Sequence, residues 1–405
     1  MRLTHLSLTN FRNYVRLELD FSKPVTLLQG GNAEGKTNLL EAIYYLATAD
    51  SPHARADREL INWLANEDQM PFARLEAQVE GSDALREVSI VILKTADRLQ
   101  KEIRINGVKR RVLDLIGQVK AVLFIPEDID LIAGSPEARR HYLDTSICQI
   151  DRRYCRSLQV YNRVLSQRNS LLRRLREQAG DPQQLDFWDQ RLTEEGSQLI
   201  GRRLEIVAEL DRLVQDIHPH LTGGEERLRL LYRCSLPLEG EEGLEVYRQL
   251  PLEMTRPPGN IMGREAPSRL QIKAVFQHRL EAQREEEIER GMTLSGPHRD
   301  DLRFLVGGVD MCVYGSRGQQ RTIAISLRLA EMELIRAETG EEPILLLDDV
   351  MSELDEERRR HLMDAVNREQ QVIITTTNLD LFAPSFLDQA TVWRIHGGRV
   401  EELSF

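Results

Sequence analysis

The chain has 405 residues, 41% apolar and 29% charged, the balance of a soluble globular protein longer than one typical domain. Its 65 acidic and 54 basic residues leave a formal charge of −11, which excludes a uniformly basic nucleic-acid coat. No apolar run approaches the ~18–20 residues of a membrane span and no h-region follows Met1, so no membrane partner and a cytoplasmic location are expected.

Leu6 and Leu8 alternate with polar neighbours, and Val15, Leu17, Leu19 and Phe21 alternate with Arg16, Glu18 and Asp20. This period of two, broken at Asn10–Asn13, predicts a hairpin with one buried face. Val25–Gln29 reads as a central strand feeding a glycine turn, and Leu39, Leu40, Ile43 and Leu46 place a helix over Thr37–Leu46. Residues 72–125 carry short strands, including Val88–Leu93 and Ile103–Ile105, with a turn at Asn106–Gly107. From Pro136 the pattern is helical. Leu158, Leu165 and Leu172, with Tyr161 and Leu175, mark one helix, and a second runs from Leu185 to Ile217, stopping before Pro219. The two make an αα-hairpin with arms of roughly 40–50 Å, too short for a coiled-coil rod. Residues 221–268 read as loops with a strand at Leu228–Leu231, followed by a helix over Ile272–Arg290. Strands at Leu302–Val306, Ile344–Leu347, Val372–Thr376 and Val392–Ile395, with a helix over Gln319–Ala337, give an alternating β/α ending. The four cysteines, Cys148, Cys155, Cys234 and Cys312, lack metal-ligand spacing and read as buried or idle thiols.

Residues 30–37 read GGNAEGKT, a G-x-x-x-x-G-K-[ST] loop between strand and helix. Gly30, Gly31, Asn32, Ala33, Glu34 and Gly35 would curl their backbone N–H groups around phosphate oxygens. Lys36 supplies a point charge for the β and γ phosphates, and the Thr37 hydroxyl a ligand for Mg²⁺, so ATP with Mg²⁺ is expected. The apolar strand Ile344–Leu347 ends in Asp348 and Asp349, the place for a magnesium ligand and a residue that orients or deprotonates water. Because 312 positions separate Lys36 from Asp348, the nucleotide domain is expected to be assembled from both chain ends around an insertion. GSRGQQR at 315–321 opens an amphipathic helix. Taken alone it reads as a Ser-capped helix, and beside a phosphate loop as a second anion-binding helix start for a partner's nucleotide, at Ser316, Gly318 and Gln319.

These residues resemble the ABC-type ATPase heads of the SMC-like class, and within it the RecF family of bacterial recombination mediators. The resemblance covers essentially the whole chain. It is carried by NFRNY at 10–14, the phosphate loop, FIPEDIDLIAGSPEARR at 124–140, SGPHRDDL at 295–302, SRGQQR at 316–321, LLLDDVMSELD at 345–355 and ITTTN at 374–378. It implies an α/β fold: a P-loop ABC-type ATPase head, a mixed sheet with flanking helices, formed by 1–134 and 291–405, plus an inserted mainly helical lobe at 135–290 with a short αα-hairpin. It implies Walker A contacts from Lys36 and Thr37, Walker B contacts from Asp348 and Asp349, a signature at Ser316, Gly318 and Gln319 that caps ATP on the other protomer, and a D-loop at Asp355. DNA binding, ATP-dependent homodimerisation, slow DNA-stimulated hydrolysis, and work with RecO and RecR in loading RecA during gap repair, replication and the SOS response are likewise implied. The chain departs from the wider ABC pattern in three places. Asp349 stands where transporters carry Glu, Thr375–Thr377 occupy the place of the switch histidine, and Gln118 and the turn Pro126–Asp128 compete for the Q-loop. SPHAR at 51–55 also differs from the expected Ser-x-Arg run, which leaves a contact by Arg55 open.

Charge is unevenly spread. Residues 134–180 hold ten arginines against four acids, and residues 94–114 hold seven basic residues against three acids. Arg152, Arg156 and Arg163 share one helix face, a surface for phosphate contacts with weak sequence preference and strong salt dependence; otherwise the basic segment is a solvated helix face, or Arg139–Arg140 pair with acids in the insertion. The competing classes are an ABC transporter subunit, against which the long insertion argues, and a structural SMC-like tether, for which the arms are short.

Overall fold

The computed structural model describes all residues except 68–69, 83, 96–97, 179, 239–266, 355, 366–369 and 404–405, so Asp355 and most of the expected loop at 221–268 lie outside the described residues. It divides into two compact units, one of residues 1–128 and 328–405, the other of residues 129–327. The expected boundaries at 134/135 and 290/291 therefore shift. β9 (Leu228–Arg233) pairs antiparallel with β10 (Asp301–Val306), which in turn pairs with β11 (Val309–Asp310), and this three-stranded sheet draws residues 291–327 into the second unit.

In the first unit, period-two alternation produces the hairpin of β1 (Arg2–Phe11) and β2 (Tyr14–Asp20), with Leu6 opposite Leu19 and Leu8 opposite Leu17. Val15 does not join their buried face. Asn10 takes φ +52° between the paired positions Thr9–Arg16 and Phe11–Tyr14, which breaks the alternation, so Phe11 and Tyr14 are buried and Val15 is 54% exposed. With β4 (Phe72–Glu80), β5 (Leu85–Lys94), β6 (Leu99–Ile105) and β7 (Val108–Arg110) they form an antiparallel sheet ordered β2-β1-β4-β5-β6-β7. The last hairpin turns on Asn106 and Gly107, both with positive φ.

The second sheet of this unit is ordered β15-β14-β3-β13-β12-β8, from β3 (Val25–Gln29), β8 (Ala121–Phe124), β12 (Ile344–Asp348), β13 (Val372–Thr376), β14 (Ala390–His396) and β15 (Arg399–Leu403). All its pairings are parallel except β14–β15. Strands buried on both faces read as continuous apolar runs, as Ile344–Leu347 and Val372–Ile374 do. Gln371 ties the two sheets together. Its side chain accepts from Leu3 N at 2.6 Å and donates to Leu3 O at 2.9 Å.

The second unit is built on the helices Pro136–Ile150, Arg152–Glu177, Leu185–Leu221, Arg269–Ala282 and Arg284–Arg290. Arg152–Glu177 packs against both Leu185–Leu221 and Arg284–Arg290, so its buried face is wider than a heptad seam. Tyr154, Tyr161, Val164, Leu171 and Leu172 are buried, whereas Leu158 and Leu165 are only half-buried. The second arm does not stop before Pro219 but continues to Leu221. Only the last turn lies beyond the proline, and the end is closed by Thr222, whose hydroxyl donates to His218 O at 3.0 Å. All four cysteines are free thiols, and no described helix is long and apolar enough to cross a membrane.

Candidate nucleotide-binding site

The phosphate loop lies between the end of β3 and the helix Lys36–Thr48, in the first unit. Its curl depends on two glycines. A Cβ on Gly30 would lie 2.4 Å from Ile395 O, and Gly35 takes φ +112° with its absent Cβ 2.3 Å from Asn13 Nδ2. The helix starts on Gly35 with no side-chain cap and no acidic residue in its first turn, which leaves its positive end for an anion. Lys36 is buried, and its ammonium donates to Gly30 O at 2.9 Å and Gly31 O at 2.7 Å. Burial lowers the Lys36 pKa below its usual value, against the opposing charges of Asp349 and Asp348.

Thr37 Oγ1 donates to Asp348 Oδ2 at 2.7 Å, which joins the start of the helix to the end of β12 across 311 residues of sequence. Thr375, fully buried at the end of β13, donates its hydroxyl to Asp348 Oδ1 at 2.7 Å and accepts the Asp349 N–H at 2.8 Å. Asp349 takes φ +50° and presents a buried Oδ1 that has no hydrogen-bond partner among the described residues. An enclosed carboxylate oxygen without a donor costs free energy unless a cation or water completes it. The donor set therefore fits magnesium and a polyphosphate: a cationic ammonium, an uncapped helix start, a hydroxyl, two carboxylates and one unsatisfied oxygen.

Sequence reasoning missed Asn13 and Tyr14, and noted Thr375 only as standing where a switch histidine would. Asn13 Nδ2 donates to Glu34 O at 3.0 Å, Asn38 Nδ2 donates to Asn13 Oδ1 at 2.8 Å, and Tyr14 Oη donates to Gly35 O at 2.8 Å, so the β1–β2 turn braces the loop. The signal was present in the NFRNY and ITTTN segments, but their partners lie 21 or more residues away. Glu34 belongs to the loop through its backbone, while its carboxylate faces the β14–β15 turn. Of the Q-loop candidates, Gln118 donates its side-chain amide to Asp114 O at 3.2 Å, and Asp128 pairs with Arg328 at 2.6 Å. Ser51 hydrogen-bonds Glu41, which also receives Arg12 at 2.6 Å, while Arg55 is exposed.

Ser316, Gly318 and Gln319 belong to the second unit, at the start of the helix Arg317–Thr339. Ser316 N donates to Gln319 Oε1 at 3.1 Å and Gln319 N donates to Ser316 Oγ at 3.3 Å, a reciprocal capping box. Gln319 Nε2 also donates to Glu226 at 2.7 Å, and nothing lies within 4 Å of where a Gly318 Cβ would stand. Ser316, Arg317 and Gly318 are exposed.

Residues 295–302 serve the interior of the second unit. Asp300 accepts from Ser235 N at 2.7 Å and from the Tyr232 hydroxyl, Asp301 pairs with buried Arg139 at 2.7 Å, and Arg203 Nη1 donates to Pro297 O at 2.6 Å. Arg152, Arg156 and Arg163 are exposed on one helix, but the arginine excess of 134–180 overstates the outward charge. Arg139 is spent on Asp301, Arg140 on Asp300 O at 2.7 Å, and fully buried Arg168 on Asp189 at 2.6 Å and Glu287 at 2.7 Å.

A mostly parallel sheet with a glycine loop after its central strand, an acid pair at the end of the next strand but one and a helical second unit defines an ABC-type ATPase of the SMC-like class. The family model for the RecF/RecN/SMC N terminal domain matches residues 2–392. The DNA replication and repair protein RecF of Roseiflexus castenholzii is 43% identical, with 99% of each chain covered. The structure of the recombination mediator protein RecF with ATP in the RecFOR pathway superposes with a TM-score of 0.84 at 31% identity, covering 99% of this chain and 97% of that one. An Smc head bound to the C-winged helix domain of ScpA shares the fold alone, at a TM-score of 0.51 and 15% identity over 100% and 98% of the two chains. The chain belongs to the RecF family.

Proposed function

We propose that this chain is an ATP-dependent recombination mediator that acts in DNA repair and replication, binding DNA and working beside RecO and RecR in the cytoplasm. The observation that carries the reading is the hydrogen-bonded run Thr37–Asp348–Thr375–Asp349, which converges on the phosphate loop and leaves one carboxylate oxygen of Asp349 unsatisfied. Its support from outside the chain is the near full-length similarity to RecF proteins, one of them a RecF–ATP structure.

In this reading Lys36 leaves the carbonyls of Gly30 and Gly31 for the β and γ phosphates, and the N–H groups of residues 30–35 hold the remaining oxygens. Thr37 and Asp348 hold Mg²⁺, which neutralises phosphate charge when bound. Asp349 accepts a proton from, or orients, the attacking water. Its side chain is one methylene shorter than Glu, so hydrolysis is slow and serves as a switch. Ser316, Gly318 and Gln319 cap the nucleotide held by a second copy of the chain, so ATP drives homodimerisation, and DNA stimulates hydrolysis. Arg152, Arg156 and Arg163 contact DNA phosphates.

Light scattering with and without ATP, on wild type, Lys36→Ala and Ser316→Arg, tests the reading. Wild type is expected to double in mass with ATP and DNA while both variants stay monomeric. Wild type that stays monomeric at saturating ATP and DNA refutes the dimer, and a Lys36→Ala variant that binds ATP as wild type does refutes the site.

A further inference from the structure

Glu34 is the one acidic residue of the phosphate loop, and a carboxylate there opposes an anionic ligand unless it is turned away. It is turned onto the β14–β15 turn. Glu34 Oε2 accepts the Gly397 N–H at 2.5 Å, Oε1 lies 3.2 Å from His396 Nδ1, and the Glu34 backbone carbonyl accepts the Gly398 N–H at 3.3 Å. The Gly397 N–H holds the Glu34 carboxyl below its usual pKa, so it stays ionised.

The turn is shaped for this contact. Gly397 and Gly398 take φ +55° and +75°, and a Cβ on Gly398 would lie 2.6 Å from Asn13 O. Asn13 itself donates to Glu34 O, and the neighbouring Gly30 lies against Ile395 O at the end of β14. The loop is thus gripped from two turns, and the His396–Gly398 turn holds it through one residue, Glu34, by its carboxylate and its backbone carbonyl.

We propose that the turn His396–Gly398 is a clamp that presets the phosphate loop, with Glu34 the positioning residue through which the β14–β15 hairpin sets nucleotide affinity. The inference rests on the nucleotide reading above and deepens it. A loop with three glycines in its first six residues loses much conformational entropy when it closes on a phosphate, and a clamp that orders it beforehand removes that cost from binding.

The test is titration with a fluorescent ATP analogue on wild type, Glu34→Ala, Glu34→Gln, Gly398→Ala and Lys36→Ala, joined to hydrogen exchange at residues 30–35 without nucleotide. Loss of a charge-assisted hydrogen bond is expected to weaken binding about tenfold in Glu34→Ala. Glu34→Gln keeps an acceptor for Gly397 N–H and recovers most of that loss, while Gly398→Ala weakens binding as Glu34→Ala does. Exchange at 30–35 accelerates in both clamp-breaking variants. If Glu34 were only a repelling charge, Glu34→Ala would bind more tightly than wild type, and that result, or unchanged binding, overturns the clamp. Equal binding by wild type and Lys36→Ala would instead remove the nucleotide reading. Exchange at 30–35 decides the clamp in that case too, because unchanged protection in Glu34→Ala overturns it without any ligand present.

Discussion

Replacing Thr375 by Val keeps the shape of a fully buried side chain and deletes one hydroxyl. That hydroxyl donates to Asp348 Oδ1 at 2.7 Å and accepts from Asp349 N at 2.8 Å. A hydrogen bond to a charged group contributes about 1.5–3 kcal/mol and a stranded buried N–H costs about 1–3 kcal/mol, so with partial relaxation Thr375→Val should destabilise the first unit by ~2–4 kcal/mol. Asp348 keeps Thr37 at 2.7 Å, whereas the Asp349 backbone, at φ +50°, loses the side chain that accepts its N–H and keeps the Ser352 hydroxyl on its carbonyl at 2.7 Å. The loss should therefore appear in turnover. A displacement on the order of 1 Å at a reacting group costs up to ~100-fold, so kcat should fall about 10–100-fold. KM should change little, because Lys36 and the phosphate loop are untouched. Steady-state ATP hydrolysis across substrate concentration separates the two constants, and Thr375→Ser, which keeps the hydroxyl, should restore turnover. A Thr375→Val variant with wild-type kcat, or a Thr375→Ser variant as impaired as Val, would refute the argument.

Arg168→Met should cost ~3–5 kcal/mol in urea unfolding, because it removes the fully buried cation paired with Glu287 and leaves that carboxylate with the Leu294 N–H, while Asp189 keeps Arg284; a second change of Glu287→Gln should recover part of the loss. His298 is held neutral. Desolvation lowers its pKa from 6.5 to about 4, and Tyr161 lies 2.7 Å from its Nδ1. An unfolded chain then binds the proton first, so stability is fully present above pH 6.5 and falls as pH drops towards 4, by up to about 3 kcal/mol; chemical denaturation of His298→Gln should lack this slope. Replacing Arg152, Arg156 and Arg163 together by Gln should lower the slope of log affinity for duplex DNA against log salt by up to about 3, read by fluorescence anisotropy, and an unchanged slope places the DNA elsewhere.

The phosphate loop was legible because its eight residues are contiguous and flanked by clear strand and helix patterns. The acid pair was legible as a strand ending in charge. What joins them was not, since Thr375 meets Asp348 through a hydrogen bond that no spacing rule encodes. The same limit affected charge: pairing of Arg139 with an acid could be anticipated but not that the acid is Asp301, 162 residues on, and Arg168 looks like a surface cation although its partner Glu287 lies 119 residues on. The unit boundary shifted for a related reason, because Leu228–Arg233 pairs with a strand about 70 residues later. Val15 shows the local version of the problem. A regular alternation predicted its burial, and one left-handed residue, Asn10, reversed it.

β3 has its two neighbours, β13 and β14, about 350 residues further along the chain. At ~5–20 residues per second, a ribosome delivers those neighbours roughly 20–70 s after β3 has emerged. Through that interval an apolar strand meant for the middle of a sheet has both edges unpaired, a hazard for aggregation and a natural point for chaperone capture. A chain cut short before residue 390 could still make the glycine loop, but without the strand and turn that hold it in place. Nucleotide affinity would then reach its full value only once synthesis has delivered the last hairpin.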